Sequence, residues 1–518
     1  MSVSLHQLRD RFAGSVVELL LDAAIASPDR RALVCEAKEI DYRTYAHASL
    51  SLAVELLGQK PVKGRIGTII ANSIDACIAH FAVMAAGAQL LPMNPAYTAR
   101  ELAYQLEDAD LDLVLADATL QTVLEPLLSR LGIQAIWVGH EGRYLADTPL
   151  ADASALPGID PGSLGILQYT GGTSGKPKGV NLTHASLRAN VQQREAVLPT
   201  REDEERILCT MPLFHSYGMA MGLYLSARCR GTLVILPAYR REALLEAIEA
   251  HAITIFPGSP TIYIGLLDHP KITTTNWHSV KTCYSGASAL PVEVLNRWRS
   301  IVGVPIFEGY GQTEAGPVLA YNSPHAAIKA GSVGHALPDT EIEVVDIETG
   351  RSVMPQGMSG EIRARGPQIM QGYRNLPLET SEALRDGWLY TGDVGVFDED
   401  GYLYIQDRKK DLVIVGGYNV YPREVEEVLL LHPEVIEAAV ITRSDDYRGQ
   451  SLHAFVVLRR NGTCRADELL DHCAQNLAKY KLPAHIDFID ALPKTSVGKI
   501  DKKALNLASE CTTVRSNT

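Results

Sequence analysis

Apolar and polar positions along this chain follow two rhythms. Residues 65–70 (RIGTII) form a short apolar run that predicts a buried strand, 74–87 carry the spacing of an apolar helix, and 88–93 form another short run. Thr98, followed three residues later by Glu101, marks a helix start, with Ala99, Leu102, Ala103 and Leu106 on its apolar face. LDLVL at 111–115 predicts the next strand. Helices at 184–197 and 241–251 then alternate with strands at 206–211, 232–236 and 253–256, and the pattern runs to about residue 320. Such alternation predicts parallel sheets covered by helices.

The rhythm changes near residue 332. Short strands at 341–346, 360–364 and 402–406 are separated by turn signals, Glu348-Thr349-Gly350 and Asp400-Gly401 among them. A charged knot, DRKKD at 407–411, follows. Beyond it come a strand at 412–415, a helix opened by Pro422, strands at 437–442 and 453–458, a helix at 466–480 and a strand at 486–489. The expected fold is α/β. A large N-terminal domain of parallel sheets spans 1–407 with a β-rich subdomain at about 332–406, and a small α+β C-terminal domain spans 408–518. The polar last ten residues are expected to fray.

Composition narrows the function classes. A chain of 518 residues exceeds one core. Its net charge of −13 argues against coating nucleic acid, which needs clustered positive charge. No apolar run reaches the roughly 18 residues that span a bilayer, and the start, MSVSLHQLRDRFAGS, lacks the apolar core of a signal peptide. The eight cysteines, with no C-x-x-C pair, suggest reduced thiols of a cytoplasmic protein. His472-Cys473 is no nucleophile pair, because adjacent positions on a helix face different ways.

The chemistry concentrates in YTGGTSGKPKGV at 169–180. Gly171, Gly172 and Gly175 let backbone N–H groups approach a polyphosphate, while Thr170, Thr173, Ser174, Lys176 and Lys178 add donors. A Walker A loop it is not: Thr170 and Pro177 stand where that motif needs a glycine and a Ser or Thr. Alone, the segment reads equally as a flexible surface loop. It is followed in order by MPLFHSYGM (211–219), SGASALP (285–291), EGYGQTEAGP (308–317), GWLYTGD (387–393), QDRKKDLVIVGGYNVYPREVE (406–426) and LPKTSVGKI (492–500).

Together and in this order, from about residue 15 to 505, these segments resemble the adenylate-forming superfamily of acyl-CoA synthetases. The resemblance implies a carboxylic acid, ATP and coenzyme A as substrates, an acyl-AMP intermediate, and AMP and pyrophosphate as products. It implies a phosphate cradle from Thr170 to Lys178, including Gly171, Gly172, Thr173, Ser174 and Gly175. Glu314 corresponds to the carboxylate that holds Mg2+, a hard ion suited to oxygen ligands, and Thr313 to the residue at the α-phosphate. Asp393, assisted by Arg408, matches the ribose-binding acid, and Gly286, Ala287, Ser288, Tyr310 and Gly311 flank adenine. Taken singly, Glu314 reads equally as a solvated loop carboxylate and Asp393 as a turn former. His215 matches a position beside the acyl carboxylate, although a buried histidine without a charge role is also consistent.

Lys499, after Gly498, matches the lysine that bridges acyl carboxylate and α-phosphate. The resemblance also implies a mobile C-terminal domain with its hinge at Lys410, and a pantetheine tunnel lined by Gly416, Gly417 and Tyr418. GGYN at 416–419 departs from the common GGEN, which argues against an acetate-type enzyme. His215, Tyr217, Met219, Phe256, Gly286 and Gly309 are the expected acyl-pocket walls, with the two glycines leaving room. FPGSPTIY (256–263) and ARGPQIMQGY (364–373) resemble fatty-acid ligases, and GYGQTEAGPVLA (309–320) equally resembles 4-coumarate-type ligases. A medium- or long-chain fatty acid is the favoured substrate. An aryl acid, or transfer to a carrier protein, stands as the alternative. A luciferase-like oxygenase shares the fold, and a non-catalytic relative would be expected to lack Lys499 or Glu314.

Overall fold

A computed structural model describes residues 4–59, 64–111, 113–170, 176–415, 418–445, 449–460, 462–495 and 498–506. The expected fraying of the last ten residues lies outside them. The α/β expectation is borne out. A nine-stranded sheet runs in the order His335–Ala336, Ala320–Tyr321, Ile306–Tyr310, Thr282–Ser285, Ile255–Gly258, Arg206–Cys209, Thr232–Ile235, Arg31–Cys35 and Lys38–Asp41. Its centre is parallel, with Cys283 opposite Ile306 and Phe256 opposite Cys283. A seven-stranded sheet places the hairpin Leu164–Thr170 and Lys178–Thr183 beside the parallel strands Gln89–Pro92, Arg65–Ile69, Leu113–Asp117 and Gln134–Val138.

Local chemistry sets the element starts. Thr98 and Glu101 form a reciprocal capping box at Ala99–Ala109, the Thr98 hydroxyl accepting from the Glu101 N–H at 3.3 Å and the Glu101 carboxylate from the Thr98 N–H at 2.8 Å. Thr183 caps His184–Val197 in the same manner. Ahead of residue 65 lie helices Leu5–Arg11, Val17–Ala26 and Tyr42–Gly58, which the apolar rhythm alone did not single out.

Residues 341–408 form a five-stranded antiparallel sheet in which Leu403–Arg408 pairs with Trp388–Phe397. A second five-stranded sheet follows, built round the long hairpin Val435–Asp445 and Gly449–Leu458. That hairpin extends past the expected strands because its polar tip, from Arg443 outward, lies beyond the apolar core. The helix expected at 466–480 ends at Asn476, whose side-chain amide donates to the His472 carbonyl at 2.8 Å and satisfies a helix-end acceptor. The apolar core that begins at Leu8 reaches Leu403, while the cores on either face of the last sheet draw on residues 413–505. No described helix is long and apolar enough to cross a membrane, and the seven described cysteines are free.

Candidate active site

The site lies where strand Ile306–Tyr310, the 164–183 hairpin, strand Trp388–Phe397 and the loop carrying Lys499 converge. Register creates its first pair. Asp393 and Arg408 face each other across the antiparallel ladder, with Arg408 Nε 3.3 Å from Asp393 Oδ1. Tyr310, at the end of its strand, donates its hydroxyl to Asp393 Oδ2 at 2.7 Å. Burial pushes the Asp393 carboxyl above its ordinary value, and the Arg408 charge and the Tyr310 hydroxyl oppose that rise. The result is an anchored acceptor at the sheet end.

The second group sits on the hairpin side. Thr170 pairs with Lys178 in register, and residues 171–175 between them lie outside the described residues. Lys178 Nζ stands 4.9 Å from the Tyr373 ring centroid, and the Tyr373 hydroxyl donates to Glu314 Oε1 at 2.9 Å. Glu314 itself is buried in a 3-10 turn, Thr313–Ala315. Thr313 Oγ1 lies 3.5 Å from Ser216 Oγ. At Gly311 a Cβ would stand 2.1 Å from the Pro317 carbonyl oxygen, so the turn into Glu314 accepts no side chain there.

Lys499 completes the constellation. Gly498 has φ +79°, and a Cβ there would stand 2.7 Å from Thr261 Oγ1, so glycine lets the loop seat against the N-terminal body. The Lys499 N–H donates to Thr495 Oγ1 at 3.2 Å. Burial, followed by the Arg408 charge, lowers the Lys499 ammonium to about 8, while Asp393 and Glu314 pull the other way. His215 is half-buried at the start of a short helix and accepts from the Tyr217 N–H at 3.2 Å through Nδ1. Burial and the neighbouring Lys499 hold its imidazole down at about 3, so it is neutral at any ordinary pH. Thus Lys499, His215, Glu314, Asp393 and Arg408 share one cleft.

The loop after Thr282–Ser285 forms another wall. Gly286 N–H donates to the Gly258 carbonyl at 3.4 Å, and Ala287 holds φ +71°, an unfavourable conformation for a residue with a Cβ. Ser288 is exposed. The acyl side departs from expectation. The room at Gly286 is taken by the Tyr217 ring, 2.7 Å from where a Cβ would stand, and the room at Gly309 by the Tyr321 ring at 2.5 Å. Met219 is buried at the start of a π-helical turn, Met219–Tyr224. Phe256 is corrected as a free pocket wall: its ring is fully buried against Tyr263 and Trp298, in the aromatic core.

Lys410 is exposed in the 3-10 turn Lys409–Asp411 that directly follows strand Leu403–Arg408. Gly416 and Gly417 lie outside the described residues, and only the backbone of Tyr418 is placed, opposite Val415. Tyr373 and Tyr321 were not singled out in the sequence. Glu308 was quoted only inside its motif. It accepts from the Leu290 N–H at 2.8 Å, and burial pushes its carboxyl up to about 7.

An anchored buried acid beside an arginine, a carboxylate at a hydroxyl- and lysine-bearing hairpin, and a lysine brought in on a separate C-terminal loop define the adenylate-forming class of enzymes. The chain belongs to the AMP-binding enzyme family, whose model matches residues 21–374, and the model of the AMP-binding enzyme C-terminal domain matches 424–499. It is 37% identical to a long-chain-fatty-acid–CoA ligase of Bacillus subtilis, covering 94% of this chain and 93% of that one. It is 32% identical to 4-coumarate-CoA ligase 1 of Narcissus pseudonarcissus over 86% of this chain and 84% of the relative. Among solved structures, ATP-bound MatB from Rhodopseudomonas palustris superposes with a TM-score of 0.88 at 30% identity, covering 95% of this chain and 98% of MatB.

Proposed function

We propose that this protein is an acid–CoA ligase that activates a carboxylic acid with ATP, forms an acyl-AMP, and transfers the acyl group to coenzyme A. The observation that carries the reading is the delivery of Lys499 to the cleft that holds Asp393, Arg408, Glu314 and His215. Two anionic reactants must meet there, and a cation at the point of attack lowers that barrier. Lys499 supplies it as a mobile point charge. Asp393, fixed by Tyr310 and Arg408, accepts from the ribose hydroxyls. Gly286, Ala287, Ser288, Tyr310 and Gly311 flank the base. Thr170 to Lys178 cradle the phosphates, and Thr313 meets the α-phosphate.

Mg2+ fits the donor set. Glu314 offers one hard carboxylate of which only Oε1 is engaged by Tyr373 among the described residues, and no cluster of three or more candidate ligands exists among them. A single carboxylate suits an ion that takes its other ligands from phosphates and water. When bound, Mg2+ spreads the charge of the departing phosphates. His215, neutral and half-buried, borders the acyl carboxylate without adding charge.

We assign residues 1–407 to an adenylation domain with its β-rich subdomain at about 332–406, and 408–518 to a mobile domain hinged at Lys410. In the second half-reaction this domain turns Lys499 away and brings the 416–418 segment to line the thiol's path. The relatives named as long-chain-fatty-acid ligases support a fatty acyl substrate, and free thiols support a cytoplasmic setting. A coumarate-like aryl acid is the second reading, favoured by the Narcissus relative and by the GYGQTEAGPVLA segment. Incubation with ATP, CoA and a panel of acids tests the function: AMP, pyrophosphate and acyl-CoA are expected, and acid-dependent ADP would overturn it.

A further inference from the structure

Helix Val292–Ile301 starts without a cap of its own. Pro291 stands at its N-cap position and offers no side-chain acceptor, so the first N–H groups depend on acceptors from elsewhere. Two carboxylates meet this stretch. Glu308, buried on strand Ile306–Tyr310, accepts from the Leu290 N–H at 2.8 Å. Glu427 accepts from the Val292 N–H at 3.4 Å through Oε2. Glu308 belongs to the same body as the helix. Glu427 does not: it stands on helix Pro422–Leu430, beyond the turn Lys409–Asp411.

Arg423, one turn earlier on that helix, flanks the Glu427 carboxylate. Its Nη2 lies 3.6 Å from Glu427 Oε1, its Nη1 donates to the Ile405 carbonyl at 2.6 Å, and its backbone N–H donates to Asp407 Oδ2 at 3.1 Å. Ile405 and Asp407 lie on strand Leu403–Arg408, ahead of the turn. Arg423 is also within electrostatic reach of Glu308. Helix Pro422–Leu430 thus grips the body at two places, a strand end and a helix start. A carboxylate at a helix start is favoured by the unpaired N–H groups and by the helix dipole. These contacts coexist with Lys499 in the cleft. Since Lys410 lies between the two sets of residues, a turn of the domain about it separates Glu427 from Val292 and leaves the helix start uncapped.

We propose, resting on the acid–CoA ligase reading and its hinged domain, that Glu427 is a positioning residue for adenylation, capping helix Val292–Ile301 across the domain boundary and so favouring the arrangement that delivers Lys499. It touches no substrate and acts through Lys499. Its loss weakens the arrangement used for adenylation and takes nothing from the one used for thioester formation.

The test uses the full chain with Glu427→Ala and Glu427→Gln. One readout is kinetic: pyrophosphate release with ATP and the native protein's best acid, set against thioester formation from the pre-made acyl-AMP and CoA. The other is hydrogen–deuterium exchange across 289–296, which reads the helix start whether or not any acid turns over. In Glu427→Ala the ratio of adenylation rate to transfer rate should fall by about fivefold, the equilibrium shift that loss of one helix cap produces, and 289–296 should exchange faster. Glu427→Gln keeps an acceptor for the Val292 N–H and gives up the charge, so it should lie between native and Glu427→Ala. If Glu427→Ala fails to fold by circular dichroism, Glu427→Gln is read against the native protein on the same two scales. A ratio changed by less than twofold, as when a general loss of packing slows both half-reactions alike, overturns the inference while the ligase reading stands. Unchanged exchange at 289–296 does the same. Absence of AMP and acyl-CoA from the native protein with every acid overturns the ligase reading, and the inference with it.

Discussion

The nucleotide side and the acyl side of the cleft are built on opposite plans. On the nucleotide side, polar groups are held by other residues before any ligand arrives: Asp393 by Tyr310 and Arg408, Glu314 by Tyr373. On the acyl side, Gly286 and Gly309 are covered by the Tyr217 and Tyr321 rings, which leave no open room beside either glycine. A ligand common to a whole family favours a preorganised cradle, since prearranged dipoles need no reorganisation during the reaction. The proposed acyl wall, for a substrate that differs between relatives, is made of one side chain from a short helix, Tyr217, and one set by strand pairing, Tyr321.

Breaking the nucleotide side should produce the largest effects. Glu314→Gln keeps the shape and removes the charge, so adenylation should fall by about 10²–10³, the loss typical of one transition-state contact. Pyrophosphate release against Mg2+ concentration measures it, and a fall smaller than threefold would remove Glu314 from the metal role. The next effect is a pH limb. Lys499 titrates at about 8 instead of near 10.5, so its neutral form gains as pH rises through 8 and its charge is complete below. For adenylation, kcat/KM of the free enzyme should fall about tenfold per pH unit above 8. His215, held near 3, should contribute no limb between pH 5 and 8. A profile flat to pH 10 would contradict the assignment.

Breaking the acyl side should cost less and fall selectively. In Gly286→Ala the new Cβ meets the Tyr217 ring at 2.7 Å, and overpacking of this kind costs about 1–3 kcal/mol. Acid kcat/KM should drop by about tenfold, most for the bulkiest acids, while the KM for ATP changes little. Equal loss for acids of every size would place Tyr217 outside the pocket. The smallest effect is expected where the two bodies touch at the surface. Arg459 and Asp268 pair at 3.4 Å, and an exposed pair of this kind contributes about 0.2–1 kcal/mol. Arg459→Ala should therefore change the adenylation rate by less than about fivefold in stopped-flow assays.

The same contrast governs what the sequence disclosed. Helix His184–Val197 has the expected bounds because its apolar spacing and its Thr183 cap are both local. Asp393, Glu314 and Lys499 could be singled out as candidates because each stands in a short motif of fixed order, and the structure places Lys499 within electrostatic reach of Asp393 and Glu314. Tyr321 and Tyr373 were not legible. Tyr321 acquires its position from strand pairing with Gly309, and Tyr373 from pairing with Val180, almost two hundred residues away in the chain. Phe256 misled because an apolar residue in a motif looks the same whether it lines a pocket or packs under it. The reach of the 435–458 hairpin was hidden by its polar tip.

The central claim is that Lys499 acts in adenylation and leaves before the thiol attacks, and measuring the two half-reactions separately in Lys499→Ala and Lys410→Pro tests it most directly. Acyl-AMP formation should fall by about 10²–10³ in Lys499→Ala, while thioester formation from pre-made acyl-AMP and CoA should be largely retained. Lys410→Pro, which fixes φ and removes an N–H at the turn after Arg408, should adenylate yet transfer poorly. Equal damage to both half-reactions in both variants would contradict the account.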